Sequence, residues 1–170
     1  APNLKVIGRA GIGVDNIDHR LHQTDFSDQQ NLPMAPISSN SLSSIDDNNV
    51  IFMIGSDVQR EQPLLGLRIR KATLNDAQVF SLNPVAYKNN FDIKQSITVA
   101  PQEMVYQLAL IVSELANLSG KVVEEANEIL LGLKGSKESA IIAKALFESK
   151  STSIIVGAIA HNHPQAATLR

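Results

Sequence analysis

The sequence predicts a three-layer α/β domain, a mostly parallel sheet with helices on both faces. Three observations predict it. Val50-Ile51-Phe52-Met53-Ile54 is a continuous apolar run of β-branched and bulky residues, the pattern of a strand buried on both faces. A helical pattern and a second apolar run, Ala77 to Leu82, follow it; strand, helix and strand within about 35 residues make a crossover unit between parallel strands. Toward the C-terminus, helices with one apolar face alternate with further short strand patterns.

In chain order, Leu4-Lys5-Val6-Ile7-Gly8 reads as a short strand ending in a Gly-rich turn. Val14, Ile17 and Leu21 then recur at helical spacing, which suggests a brief helix after Asp15. Residues 24–49 shift to Ser, Asn, Asp and Pro, with Pro33 and Pro36 limiting helix, and are expected to form an irregular surface connection. Strand 50–54 closes in Gly55-Ser56-Asp57. Pro63 suits a helix first turn, followed by Leu64, Leu67, Ile69 and Ala72 with Arg68, Arg70 and Lys71 interleaved. Asn83-Pro84 ends the next strand. Ile97-Thr98-Val99 is a short third strand, and Pro101 opens a helix whose Val105, Leu108, Ile111, Val112 and Leu115 share one face up to Gly120. Two more amphipathic helices are expected at Val122 to Leu133 and Ser139 to Ser149. Glu124, Glu125, Glu128, Lys134 and Lys137 at their edges read as solvated faces. Ser153 to Ala158 is expected to be a fourth buried strand, and His161-Asn162-His163-Pro164 to lead into a helix reaching Arg170. The whole reads as one Rossmann-like domain over residues 1–170.

Composition removes several function classes. The 15 Lys+Arg stand against 17 Asp+Glu, a net charge of −2, so no basic excess advertises a phosphate-backbone partner and no nucleic-acid role is expected. With no Cys, thiolate zinc sites, iron–sulfur ligation and Cys nucleophiles are excluded within this chain. The absence of Trp and the low aromatic content speak against a base-stacking platform. No apolar stretch approaches the roughly 20 residues of a membrane span, so direct membrane insertion is not expected. Ala1-Pro2-Asn3-Leu4-Lys5 lacks the features of a signal peptide and there is no initiator Met, so the chain is expected to be part of something longer.

Gly8-Arg9-Ala10-Gly11-Ile12-Gly13 has the spacing G-x-x-G-x-G rather than G-x-G-x-x-G. No second strand ending in Asp or Glu follows at the right distance, and a structural turn is the expected reading. The histidines come as His19/His22 and His161/His163. Neither pair has a third ligand placed beside it, and surface or capping roles are expected, with His163 preceding a helix start at Pro164. No Ser lies in a G-x-S-x-G elbow, so nucleophilic catalysis has no positive support.

Leu4 to Asp18 closely resembles a segment of D-2-hydroxyacid dehydrogenases such as phosphoglycerate dehydrogenase, but that family's cofactor fingerprint and catalytic residues have no counterpart downstream. A longer resemblance covers residues 16–170. Asn16 to Asp28, Ile54-Gly-Ser-Asp57, Arg60-Glu-Gln-Pro-Leu-Leu65, Arg68-Ile-Arg70, Asn83-Pro84, His163-Pro164, Ala166-Ala167 and Leu169-Arg170 are similar to the large iron–sulfur subunit of bacterial NADH-quinone oxidoreductase. That family has a mitochondrial counterpart in complex I, and its large C-terminal domain is similar to molybdopterin oxidoreductases.

This resemblance implies a non-catalytic scaffold domain of a respiratory NADH dehydrogenase. No cofactor is expected in the fragment itself; the parent subunit would carry iron–sulfur clusters. The implied partners are other subunits of the complex, and the implied location is peripheral, on the cytoplasmic face of the inner membrane or the mitochondrial matrix side. In molybdopterin enzymes the loop equivalent to Gly55-Ser56-Asp57 meets the cofactor's phosphates, and the turn equivalent to Asn83-Pro84-Val85 usually reads Asp-Pro-Arg. Gly55, Ser56, Asp57 and Asn83 are therefore the candidates for a vestigial phosphate site. Asp57 places a negative charge where a phosphate would rest, costing on the order of 1 to 4 kcal/mol at about 4 Å, and Val85 removes a bidentate Arg. Asp57 is expected to satisfy the donors that a phosphate once met, with Arg60 compensating in part. The alternatives are a hydroxyacid dehydrogenase remnant using NAD, a molybdopterin-binding oxidoreductase, or a fusion with no activity of its own. An exposed sheet face or edge is expected to favour self-association of the isolated fragment.

Overall fold

The computed structural model describes residues 25, 27, 41–120, 133 and 135–169. The expected strand at 4–8, the helix after Asp15, the Gly8 turn, His19 and His22 lie outside the described residues, as does the expected helix at 122–133 except for Leu133.

Among the described residues, four parallel strands form one sheet: β1 (Val50–Ile54), β2 (Gln78–Asn83), β3 (Gln95–Thr98) and β4 (Thr152–Val156), in the order β3-β2-β1-β4. In register, Val50 lies opposite Gln78 on one side and Thr152 on the other, and Ile54 opposite Leu82 and Val156. The central strand β1 is buried along its whole length, which is why its sequence is an unbroken apolar run rather than an alternation. Its residues serve two cores. Val50, Phe52 and Ile54 join Phe80, Leu82 and Ile97 on one face, while Ile51 and Met53 join Val79 on the other, as the two-residue period of a strand dictates.

The first core is covered by α3 (Met104–Ser119) and α4 (Lys137–Glu148), which pack on each other. Met104, Ile111, Ile142 and Ala143 are buried there, with Val105, Leu108 and Leu115 packed alongside. Pro101 opens α3 through a single 3-10 turn, Pro101–Glu103. The second core is covered by α1 (Val58–Glu61) and α2 (Pro63–Leu74). Sheet and flanking helices give the expected three-layer α/β arrangement, all parallel among the described residues.

Three expectations need correction. Helix α2 begins at Pro63 as expected, but it buries Leu65, Ile69 and Ala72, leaving Leu64 and Leu67 exposed. The spacing i, i+4, i+7 fits the sheet better than the one that starts at Leu64. Strand β4 is not buried throughout: among the described strands it lies at the sheet edge, Ile154 is 59% exposed, and Ala158 already belongs to the next helix. The C-terminal helix expected after Pro164 is only the short α6 (Ala166–Leu169), and an unexpected short helix, α5 (Ala158–His161), precedes the His163-Pro164 turn.

Within the stretch read as a surface connection, Leu42–Asp47 forms a 3-10 helix packed against α2. Its buried Asp46 accepts hydrogen bonds from Arg68 Nη1 and Lys71 Nζ, both at 2.8 Å on Oδ2. Asn48 clasps the start of β4, donating to Ser153 Oγ at 2.6 Å and accepting from Ser151 Oγ at 2.7 Å.

Candidate functional site

Strand order runs outward from β1 through β2 to β3 and then returns to place β4 on β1's other side. The loops leaving β1 and β4 therefore flank the switch point at which open α/β sheets form ligand crevices. Here the two loops touch through their backbones. Gly157 N–H donates to Ile54 O at 2.9 Å, and Ile159 N–H donates to Gly55 O at 3.0 Å. Gly55 has φ +57°, and a Cβ there would lie 2.5 Å from the backbone nitrogen of Ala160, so only glycine fits. A Cβ on Gly157 would collide with Ser56.

The four residues singled out by sequence do not converge on one point. Ser56 and Asn83 do meet: Ser56 N–H donates to Asn83 Oδ1 at 2.8 Å, and Asn83 Nδ2 donates back to Ser56 O at 3.2 Å. Both are buried, so this reciprocal pair ties the end of β2 to the end of β1 and engages both the oxygen and the nitrogen of the Asn83 amide. Gly55 serves the close approach to α5. Asp57 turns aside, pairing with the exposed Arg60 at 2.8 Å, and makes no side-chain cap on α1.

The group that meets the loop donors is Glu61, which sequence reasoning missed. Its Oε1 accepts from Asp57 N–H at 2.8 Å, and its Oε2 accepts from Ala158 N–H at 3.0 Å and from Ser56 Oγ at 3.4 Å. One carboxylate thus bridges the loops after β1 and β4. The expectation that Asp57 would satisfy these donors is corrected accordingly: a side chain four residues on folds back over the turn, whereas the Asp57 carboxylate pairs with Arg60 and caps no N–H of α1. The available signal was a Glu one position beyond the capping-box site, reaching back to the N-cap nitrogen. The Ala158 contact has no local signal, being 97 residues distant.

Tyr87 stands beside this cluster. Burial pushes its phenol up, and the negative charges of Asp57 and Glu61 push it further, with Arg60 opposing them. Val85, where the resemblance leads one to look for Arg, is half exposed. Among the described residues, no three His, Asp or Glu side chains are grouped so as to hold a metal ion.

His163 is buried rather than on the surface, and it does cap. Its Nδ1 accepts from Gln165 N–H at 3.0 Å, which leaves Nε2 to donate to Pro101 O at 3.0 Å. It joins the C-terminal segment to the start of α3. A cavity of about 670 Å3 lies at the other end of the sheet, beside the amino end of β2, lined by Arg70, Leu74, Val79, Phe91 and Lys94 among others.

Comparison with known proteins finds a family model described as Molybdopterin oxidoreductase that matches residues 5–170. The match also runs through most of the stretch that resembles hydroxyacid dehydrogenases. No curated protein gives a significant match.

Proposed function

Because the chain belongs to the molybdopterin oxidoreductase family, we propose that it is a member whose cofactor crevice has been closed, acting as a non-catalytic scaffold domain of a respiratory NADH dehydrogenase. The observation that carries this reading is the Glu61 carboxylate seated on Asp57 N–H, Ala158 N–H and Ser56 Oγ. An anionic phosphate approaching the same donors meets a negative charge already in hydrogen-bond contact with them. The Asn83 amide is engaged by Ser56, and Val85 offers no cation. These residues do not fit a dianionic phosphate, and no reaction is assigned to the crevice. The resemblance of residues 16–170 to the large iron–sulfur subunit of NADH-quinone oxidoreductase supports the respiratory assignment. The family match from residue 5 onward supports one continuous domain over a fusion.

Titration calorimetry of the purified chain with pyrophosphate is the direct test. No heat of binding at millimolar ligand is expected. Binding tighter than about 0.1 mM, near −5.5 kcal/mol, overturns the closed-crevice reading in favour of a working molybdopterin oxidoreductase. The respiratory assignment has its own test in the encoding reading frame, where a Cys-rich ferredoxin-like region is expected upstream. A frame without it removes that assignment while leaving the closed crevice intact.

A further inference from the structure

His163 is 5% exposed, and each of its ring nitrogens is bound to a backbone group. The Gln165 N–H can only donate, so Nδ1 carries no proton and the ring is the neutral Nε2–H tautomer, donating to Pro101 O at 3.0 Å. These two bonds hold residues 163–169 against the 3-10 turn that opens α3. The same segment is seated by buried Ala166 and by Leu169, which joins the core of Met104 and Ile111, and Ala167 N–H donates to Asp25 Oδ2 at 3.1 Å. The titratable side chains on the surrounding elements are Glu103 in the 3-10 turn, Tyr106 and Glu114 on α3, His161 on α5, Glu61 at the start of α5, and Asp25. Glu103 and Tyr106 are exposed, and among the described residues the imidazole bonds the two backbone groups and no carboxylate.

We infer that His163 is an acid-released latch for the C-terminal segment, residues 163–169. Imidazole takes up a proton as pH falls below neutrality. Here the proton goes to Nδ1, the ring nitrogen without hydrogen, and then faces the Gln165 N–H, donor against donor. Turning the ring over gives no relief, because an imidazolium has two donors and no acceptor. The Pro101 bond survives protonation, but the charge is buried with no carboxylate bonded to it, and moving the ring into water removes both costs. The closed segment requires the neutral ring, so it binds fewer protons than the open one, and closure weakens as pH falls by up to about tenfold per pH unit. Helix α5 is held separately, through Ile159 N–H on Gly55 O and Ala158 N–H on Glu61, so release stops at His163. The latch does not depend on the closed crevice.

Hydrogen exchange of the whole chain, read by mass spectrometry and corrected for the intrinsic pH dependence of exchange, is the test. Between about pH 7.5 and about pH 5.5, protection of residues 165–169 is expected to fall at least about tenfold while that of α3 and β1 holds. His163→Gln keeps one donor and one acceptor without a titrating group, so its protection, whatever its level, should not change over that range. His161→Gln should follow the wild type. Should His163→Gln fail to fold, histidine NMR of the wild type decides, with the Nε2–H tautomer expected at about pH 7.5 and proton uptake at His163 accompanying release. Constant protection across the range, an equal fall in His163→Gln, simultaneous loss across α3, an Nδ1–H tautomer at about pH 7.5, or proton uptake without release overturns the latch.

Discussion

At the scale of single residues, Glu61 and Asp57 exchange the roles that their neighbourhood suggested. Among the described residues the Asp57 carboxylate bonds only Arg60, which is 82% exposed, and such a surface pair contributes about 0–1 kcal/mol. Glu61 accepts from two backbone N–H groups and a hydroxyl that join two loops. Glu61→Gln is expected to cost about 1–3 kcal/mol and Asp57→Asn less than about 1, as read from urea midpoints. The reverse order places the structural weight on Asp57. Asp46 makes a second prediction. Its carboxyl is held below the usual range chiefly by the Lys71 hydrogen bond, opposed by burial and aided by Arg68. A folded-state value below the unfolded one adds stability that is fully present above the unfolded value, about pH 4, and is lost as pH falls through the folded value. The stability gap between the wild type and Asp46→Asn should therefore be constant from about pH 7 to about pH 5 and shrink below about pH 4. A gap that widens on acidification contradicts the arrangement.

Among the described elements, α4 carries a side-chain N-cap, Ser136 Oγ accepting from Ser139 N–H at 3.1 Å. Glu138 in its first turn is held below the usual carboxylate range by its own backbone N–H, then by Ser136 and the nearby Lys137 charge, with burial opposing them. Both features follow from unpaired N–H groups at a helix start. Ser136→Ala should cost about 1 kcal/mol, and Ser136→Asp should restore most of it, as monitored by thermal melting. Helix α2 depends instead on Pro63 at its first turn and on burial of Leu65, Ile69 and Ala72. Its exposed leucines, Leu64, Leu67 and Leu74, contribute little to folding.

The whole molecule is organised around β1. Phe52 is 1% exposed between its neighbouring strands, whereas Ile154, its register partner on β4, is 59% exposed on the same face. Phe52→Ala should cost about 3–5 kcal/mol, and Ile154→Thr less than about 1. Hydrogen exchange should rank the amides in the same way, with β1 protected and the outer side of β4 exchanging early. Equal protection across the sheet contradicts β4 as an edge.

The sequence by itself determined the parallel α/β architecture, because an unbroken apolar run and a crossover length leave few other folds. It also marked the turn at Gly55-Ser56-Asp57, whereas the left-handed φ of Gly55 and its close approach to Ala160 were decided by the tertiary structure. Two kinds of feature were decided only by the tertiary structure. One is strand order: the edge position of β4 depends on which side of β1 it joins, and no local pattern encodes that side. The other is contact between distant backbones. Glu61 reaches Ala158 only because β4 lies beside β1, so the carboxylate that fills the crevice is set by the switch point and not by its own neighbourhood. The phase of α2 belongs with these, because Leu64 and Leu65 are equally apolar in sequence and only the position of the sheet selects which one is buried.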